Sequence, residues 1–347
     1  MPLGPRFVHV PPGVHVALVL GGGNALGAYQ AGIFQALHER GVVPDWIVGA
    51  SAGAVNGAII AGNTPDMQIA RLKRLWRPGE RNWFDPDETT RRTTAALATL
   101  IGGRPGMFAP IGPLGSWWPS EPHEHHIALY DTAPLAATLA DLVDWDRLNG
   151  GDTRYTTMAV DLQDGSEQLF DTTAMPVRAD HVRASTALPP AFPPVAVDGR
   201  VFGDAGLSAN LPLDPILAAP PAATTLCIAV DLLPLADAPP RTLGESMQRM
   251  QDLMFAAQSR RSIAHWRDRY AAQPPMSPNG DPAAMTLIRL AYADQDAEVA
   301  GKAMDFSPPT ATARWRFGLR DGAAMLDRVA AGTIGLGQPG LTVYQAD

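Results

Sequence analysis

The fold is decided by residues 14–61, which read VHVALVLGGGNALGAYQAGIFQALHERGVVPDWIVGASAGAVNGAIIA. An apolar run, Val14–Leu20, is followed at once by a cluster of glycines and then by a helical pattern from Ala28 to Arg40. A second apolar run, Trp46–Val48, leads through a tight turn into a helix of small residues over Ala52–Ala61. This order of strand, glycine turn and helix, given twice, predicts a unit of two parallel strands that are buried on both faces.

Strand patterns return further along the chain. A turn of Asp198 and Gly199 divides the segment 195–202 into a predicted β-hairpin. Three other stretches have the composition of buried core strands: Tyr155–Asp161, Leu226–Asp231 and Met285–Tyr292. Because helical patterns alternate with these strands, we predict an α/β protein with three layers, α/β/α, around a mostly parallel central sheet.

The chain is predicted to divide near residue 218. Residues 14–218 form the main domain, with an irregular loop insertion at 78–126, where glycines and prolines interrupt every periodic pattern. Residues 219–347 form a helical C-terminal extension packed on that domain, and its long helix begins at a capping-box pattern of Thr242 and Glu245. Apolar residues recur along one side of this helix, and all are predicted to lie in the core: Leu243, Met247, Met250, Met254, Ala257, Ile263, Trp266 and Tyr270.

Composition and charge exclude two classes of protein. The 347 residues carry 27 Lys and Arg against 35 Asp and Glu, which does not supply the clustered positive charge of a constitutive nucleic-acid binder. The single cysteine, Cys227, excludes an internal disulfide and sits in an apolar strand pattern as a small buried group. With no signal-peptide pattern and no long apolar window, we expect a cytoplasmic protein whose membrane contact is transient and at the surface.

The sharpest chemical signal is the G-x-S-x-G sequence at Gly49–Gly53, with Ser51 at its centre. It stands between a short strand and a small-residue helix, which is the context that a nucleophile elbow requires. There, flanking glycines let the backbone pass closely while the serine oxygen projects freely at a helix N-terminus. The alternative is a glycine-rich turn with an incidental serine.

The glycine cluster from Gly21 to Gly27 has two functional interpretations. A dinucleotide fingerprint, G-x-G-x-x-G, fails in both registers, because Leu26 stands at the last position of one and Asn24 at the third position of the other. A cradle of backbone N–H groups that binds an anion is the second interpretation, and the anion is a phosphate or the oxyanion of an acyl transfer. In a βαβ unit this cradle and Ser51 share one edge of the sheet.

A serine nucleophile needs a base. His181 and His265 are the two histidines late enough for an α/β-hydrolase triad, but both fall in predicted helices rather than in a loop after a strand. Asp204, in the tight turn FGDAG directly after a strand, is the other candidate, because a buried carboxylate in contact with the serine can accept its proton. The alternative is that Asp204 only turns the chain.

Three stretches in this order and spacing resemble the patatin-like phospholipases, especially a bacterial subgroup. They are VALVLGGGNALGAYQAG at 16–32, GASAGAVNGAIIAGN at 49–63 and ASTALPPAFPPVAVDGRVFGDAGLSANLPLDP at 184–215. The resemblance covers about residues 16–218, and residues 231–270 are similar to the extension that this subgroup carries.

The resemblance implies a catalytic dyad without histidine, in which Ser51 attacks an ester carbonyl and Asp204 takes and returns its proton. The backbone amides of Gly22, Gly23 and Asn24 are implied to form the oxyanion hole, and no metal or organic cofactor is implied. Further glycines support the motifs: Gly21, Gly27, Gly49, Gly53 and Gly206. The chain departs from the family at Asn24, where most members have a third glycine, and at Ala205, where the carboxylate motif usually has glycine. Asparagine tolerates positive φ better than most residues, so we expect the hole to survive.

The expected function is that of a serine acyl hydrolase that cleaves lipid esters through an acyl-serine intermediate. One alternative is an esterase for short-chain, polyester or other non-lipid substrates. Another is a silent module that binds an anion or a lipid, because Asn24 and Ala205 have disabled the chemistry.

Three side-chain groups have no assigned chemistry. The histidines of His123–His126 are expected in a solvated loop rather than at a metal. Trp117 and Trp118, with Met107 and Phe108, form either a lid over a lipid site or a loop packed onto the body. The basic end of the long helix, around Arg260, is a solvated face or a contact in a homo-oligomer.

Overall fold

The computed structural model describes residues 10–77, 79–80, 87–111, 127–220, 224–273, 275–276 and 280–346. Its strands, in chain order, are β1 (Val14–Leu20), β2 (Trp46–Gly49), β3 (Ala109–Pro110), β4 (Tyr130–Asp131), β5 (Arg154–Asp161), β6 (Glu167–Asp171), β7 (Val195–Val197), β8 (Arg200–Asp204), β9 (Thr224–Asp231), β10 (Ala284–Ala291) and β11 (Gly340–Ala346). Its α-helices are α1 (Gly27–Glu39), α2 (Ala52–Ala61), α3 (Pro65–Trp76), α4 (Glu88–Gly102), α5 (Ala133–Leu142), α6 (Trp145–Gly150), α7 (Ala179–Ser185), α8 (Asp214–Ala218), α9 (Leu243–Ala272) and α10 (Pro308–Ala330).

One large sheet organises the molecule, with strand order β11-β10-β9-β1-β2-β5-β8-β7. The strands from β11 to β5 are parallel to their neighbours, whereas β6 and β8 both pair antiparallel with β5. The register aligns Leu20 of β1 with Gly49 of β2 and with Val230 of β9. The loops that follow these three strands therefore meet at one edge of the sheet, because the carboxyl ends of parallel strands lie side by side.

Alternating side chains of β1 separate the two helical layers. Leu18 and Leu20 belong to the core that includes α1 and α2, whereas Ala17 and Val19 pack with residues of α8 and the second half of α9. Cys227 of β9 is buried in that second core, as its strand pattern predicted. The three-layer fold with a mostly parallel sheet is confirmed.

Helix α10 crosses α1 at very short distance. A Cβ at Gly318 would lie 2.0 Å from the carbonyl oxygen of Tyr29, and one at Gly32 would lie 2.1 Å from that of Trp315. Each helix thus uses a glycine to admit the backbone of the other.

The sheet also extends past residue 218. Strands β9, β10 and β11 come from the C-terminal part of the chain, so the predicted division at that residue crosses a continuous sheet.

The prediction of an irregular insertion at 78–126 is wrong for residues 88–102, which form α4. Asp87 caps this helix by accepting a hydrogen bond from the Thr90 amide. Its inward positions are Arg92, Ala96 and Thr99, while Leu97 and Ile101 are exposed. The apolar periodicity that marks an amphipathic helix is absent on the buried face, which is why the pattern was not visible.

The prediction that all apolar residues of α9 are buried is also wrong. Ile263, Trp266 and Tyr270 lie in the core, but the first half of the stripe is exposed: Leu243, Met247, Met250 and Met254. That half of the helix instead turns Asp252 inward, where it forms a buried ion pair with Lys302 at 2.7 Å. A charged contact therefore fixes the rotation of the helix and leaves its apolar side uncovered. Within the described ranges, no helix is both long and apolar enough to cross a membrane.

Candidate active site

Ser51 occupies a strained turn between β2 and α2. Its φ of 52° and ψ of −121° lie outside the regions that residues with a side chain prefer. Its backbone N–H donates to Ser185 Oγ at 3.1 Å, which ties the turn to α7. The helix α2 begins at the next residue, so Ser51 stands at a helix N-terminus, where developing negative charge is stabilised.

The two glycines that flank Ser51 are required by backbone packing. A Cβ at Gly53 would lie 2.1 Å from the carbonyl oxygen of Leu20, and one at Gly49 would lie 2.5 Å from that of Gly53. Real Cβ atoms do not approach backbone this closely, because the overlap is prohibitive. Gly53 therefore lets α2 start directly against the end of β1, and Gly49 lets the end of β2 lie against the first turn of α2.

The glycine loop after β1 runs beside Ser51. The Gly21 amide donates to Val230 O at 3.1 Å, and the Gly22 amide donates to Asn210 O at 2.9 Å. The Gly22 N–H is therefore occupied by a hydrogen bond within the protein. The prediction that it is one of the oxyanion donors is corrected accordingly. The amides of Gly23 and Asn24 donate to no group in the described part of the chain.

Asn24 adopts the left-handed conformation with φ of 50°. Asparagine is among the few residues with a side chain that enter this region at low cost. Its side-chain amide donates to the sulfur of Met304 at 3.5 Å, and a short 3₁₀ turn at Asn24–Leu26 leads into α1. The departure from a third glycine therefore leaves the turn and its N–H group in place.

Asp204 is the last residue of β8 and pairs with Ala159 of β5. The residue is 2% exposed, and Oδ1 accepts a hydrogen bond of 2.6 Å from the Gly206 amide. Oδ2 is buried and forms no hydrogen bond with any described residue. The Ser51 hydroxyl is close enough to favour the ionised form of the carboxyl group. Burial raises the pKa of Asp204 to about 7, while the Gly206 amide and the Ser51 hydroxyl act to lower it.

Ala205, the second departure from the family pattern, fits without strain. It is fully buried against Ala50 and Met158, and it is not among the described non-glycine residues with positive φ. Gly206 is the position that needs glycine, since a Cβ there would lie 2.9 Å from Asp204 Oδ1 and 3.1 Å from the Phe255 ring. The turn thus keeps its shape with alanine at 205.

Ser51 and Asp204 line one cavity of about 750 Å³. Asp204 is the one charged residue among the described residues of its wall, which is otherwise mainly apolar. The mouth is bordered by apolar side chains that are themselves exposed to solvent: Leu100, Leu207, Met247, Met250 and Met254. The cavity therefore fits a long apolar group that enters from an apolar rim.

The two candidate histidines lie elsewhere. His181 is buried in α7, where its Nδ1 accepts from the Arg178 amide and its ring stacks on Phe170 at 4.3 Å. Burial lowers the pKa of His181. His265 is exposed on α9, and neither histidine belongs to the described wall of the cavity.

The aromatic segment splits between described and undescribed residues. Met107 and Phe108 are buried, and Phe108 packs against Tyr130, so these two follow the packed alternative rather than the lid. Trp117, Trp118 and the histidines of His123–His126 lie outside the described residues.

Two further residues of the site were not predicted. Asn210 is buried and donates its side-chain amide to Gly22 O at 3.2 Å, and Gln258 of α9 lines the cavity. Asn210 lies within the third motif stretch, so its position was visible although its role was not. Gln258 had no signal, because nothing local in α9 shows which turn meets the site.

The chain matches two family models and resembles several known proteins. The family model described as patatin-like phospholipase matches residues 18–217, and a second, described as patatin phospholipase, matches residues 246–331. An uncharacterized NTE family protein of Mycobacterium tuberculosis is 29% identical over 240 residues, which are 68% of this chain and 55% of that protein. The neuropathy target esterase sws of Drosophila melanogaster is 25% identical over 58% of this chain and 12% of its own length.

Among solved structures, VipD from Legionella pneumophila aligns with 91% of this chain and 67% of its own, at 17% identity and a TM-score of 0.41. The chain spans about half the length of the mycobacterial relative. Since the first family model alone covers more than half of the chain, this protein belongs to the patatin-like phospholipase family.

Proposed function

We propose that the protein is a serine hydrolase of lipid carboxylic esters that works through a Ser51–Asp204 dyad. Ser51 Oγ attacks the ester carbonyl while its proton passes to Asp204 Oδ2, the oxygen that completes no hydrogen bond with described residues. The backbone amides of Gly23 and Asn24, which donate to no described group, stabilise the oxyanion. Collapse of this intermediate breaks the bond to the leaving oxygen, which takes the proton from Asp204 and departs as the alcohol.

The second half of the reaction restores the enzyme. Water gives a proton to Asp204 and adds to the acyl-serine carbonyl, and the carboxylic acid leaves as Ser51 Oγ recovers the proton. A base with a pKa near 7 suits both steps, because at neutral pH it accepts a proton and returns it readily.

The observation that carries the proposal is that the strained serine and the buried carboxylate open into one large apolar cavity. Such a cavity favours a long acyl chain over a short or polar acyl group, because each buried methylene contributes about 0.8 kcal/mol.

The exposed rim supports a transient contact with a lipid surface. The apolar residues of α4 and α9 around the mouth would reach the acyl region of a bilayer, and the described cavity wall contains no Lys or Arg to select anionic headgroups. With a net charge of −8, the protein fits a zwitterionic or neutral lipid surface.

Covalent labelling with a fluorophosphonate tests the dyad by intact mass. We expect one adduct on the native protein, none on Ser51→Ala and a strongly reduced rate on Asp204→Asn. An unlabelled but folded native protein would contradict the proposal and support a silent binding module.

A series of esters of increasing acyl length, followed by phospholipids, tests the substrate class. We expect kcat/KM to rise with chain length. A preference for the shortest esters would favour the non-lipid esterase instead.

Vesicle assays test the rim. The exposed residues Ile101 and Leu243 lie on α4 and α9 outside the cavity wall, and the double variant Ile101→Ser/Leu243→Ser is expected to bind phosphatidylcholine vesicles several-fold more weakly. Val43→Ser removes an exposed apolar side chain at the opposite edge of the sheet and serves as the matched control. Equal binding by both variants and the native protein would contradict the rim contact.

A further inference from the structure

Gln258 uses both ends of its side-chain amide to join two loops of the site. Its Nε2 donates to Gly206 O at 3.0 Å, and its Oε1 accepts from the backbone N–H of Asn210 at 2.8 Å. The two bonds fix the orientation of the amide, because exchanging its oxygen and nitrogen would break both.

Each partner of Gln258 holds a part of the proposed catalytic machinery. Gly206 donates its amide to Asp204 Oδ1, so the turn whose carbonyl Gln258 binds also orients the base. The carbonyl oxygen of Asn210 accepts from the Gly22 N–H, and its side-chain Nδ2 donates to Gly22 O. Asn210 therefore binds both backbone polar groups of Gly22 and holds the glycine loop in place. Gln258 thus lies at the junction of the base turn and the oxyanion loop.

The helix is anchored firmly at this turn. The adjacent Ser259 donates to Asp231 Oδ2 at the end of β9, and Asp231 also pairs with Arg289 at 2.8 Å. Phe255, one turn earlier, packs against Gly206. These contacts seat the helix rigidly where Gln258 reaches the loops.

From this network we infer that Gln258 is a positioning residue, supplied by the C-terminal part of the chain, that keeps Asp204 and the oxyanion amides in register. The inference rests on the proposed ester hydrolysis. Gln258 lies outside residues 18–217, so the segment that carries the nucleophile and base receives this support from another part of the chain. Misplacement of catalytic groups by about 1 Å typically costs about a hundredfold in rate.

The variant Gln258→Leu keeps the approximate size and removes both hydrogen bonds. We expect kcat to fall by about 10- to 100-fold while KM changes by less than about threefold. The control is Ser262→Ala, which removes a different tether of the same helix, the bond from Ser262 Oγ to Asp214, away from the cavity. It should keep the native kcat.

Gln258→Glu gives a signature that a purely structural role would not produce. A protonated glutamic acid can still donate to Gly206 O and accept from Asn210, whereas the ionised form repels the Gly206 carbonyl. The ratio of its kcat to the native kcat should therefore rise toward one as the pH falls. A pH-independent ratio, a kcat of Gln258→Leu within about threefold of native, or an equal loss in Ser262→Ala would overturn the inference.

Hydrogen exchange provides a readout that needs no turnover. Peptides covering residues 21–24 and 204–210 should both exchange faster in Gln258→Leu than in Ser262→Ala. If both loops exchange faster in Gln258→Leu but the native protein shows no esterase activity, the positioning role is upheld and the proposed function is refuted. Unchanged exchange in both loops would refute the positioning role itself.

Discussion

The carboxyl group of Asp204 lies beside the hydroxyl of Ser51, with Oδ1 held by the Gly206 amide and Oδ2 committed to no described hydrogen-bond partner. Burial opposes ionisation of this carboxyl group, and the neighbouring hydroxyl and amide favour it. The balance raises the pKa to about 7, which makes the residue responsive to pH where most carboxylates are not.

The rate of ester cleavage should therefore increase with pH. In the proposed dyad, Asp204 can accept a proton only when it is ionised, so kcat/KM is expected to rise through a midpoint near pH 7 and to level off above it. Steady-state kinetics with a soluble ester across this range would measure the midpoint. A midpoint near 4, as for an ordinary aspartate, would show that burial does not control the base.

Asp204→Asn should stabilise the protein increasingly as the pH rises. The pKa of Asp204 is higher in the folded protein than its unfolded value of 3.8. Between about pH 4 and 7 this carboxyl group is ionised in the unfolded chain but protonated in the folded one, so the folded protein loses stability as the pH rises through this range. The variant has no such loss, and its advantage in free energy of unfolding should grow by about 2–3 kcal/mol from pH 5 to 8.5.

Urea denaturation at the two pH values measures this difference. Asp296→Asn, which removes an exposed carboxylate, controls for the change of net charge. The same advantage at both pH values would disprove the linkage.

Replacements of Ser51 should separate chemistry from backbone strain. Both Ser51→Ala and Ser51→Gly remove the proposed nucleophile and should abolish turnover, but only glycine adopts the observed φ of 52° without cost. Ser51→Gly is expected to be more stable than Ser51→Ala by about 1 kcal/mol. Thermal unfolding of the two variants compares them directly, and a less stable glycine variant would show that the turn is not strained.

Alanine at Gly53 should disrupt the elbow. The new Cβ would collide with Leu20 O, and relief of that contact requires α2 to move away from β1, at a cost of about 3 kcal/mol or more. Gly102→Ala is the control, because this helical glycine has open space around it and alanine there should stabilise α4 by up to about 1 kcal/mol. Chemical denaturation gives both values, and equal effects would contradict the close packing of the elbow.

Neither histidine should be needed for catalysis. His265→Ala changes an exposed residue and should keep native activity. His181→Ala removes a buried ring that stacks on Phe170, so it should lower the melting temperature but keep most of the activity while folded. Loss of activity by several powers of ten in a folded His181→Ala protein would restore the triad.

Local patterns carried much of the fold and of the site. The helix over Ala52–Ala61 has the predicted bounds, and β1 is the predicted apolar run. Both could be predicted because the composition and spacing of neighbouring residues indicate a buried strand or a helix. The elbow glycines and the hairpin turn at Asp198 were visible for the same reason, since positive φ or close backbone contact selects few residue types.

Long-range contacts decided the rest. Periodicity predicts that the apolar side of α9 lies in the core, because it shows that a helix has an apolar side but not which side is covered. In the structure, the buried Asp252–Lys302 pair sets the rotation of the first half of the helix and leaves its apolar side exposed. The hydrogen bond from the Gly22 N–H to Asn210 and the one from Asn210 to Gln258 join residues that are distant in sequence, so local patterns do not predict them.

The sequence by itself determined the parallel sheet, the serine elbow and the turn that carries Asp204, because each depends on residues within a few positions of one another. Only the tertiary structure decided that the pKa of Asp204 is raised to about 7, since burial is a property of everything packed around the carboxyl group. It also decided that the cavity opens through an apolar rim, because α4 and α9 come together there from separate parts of the chain.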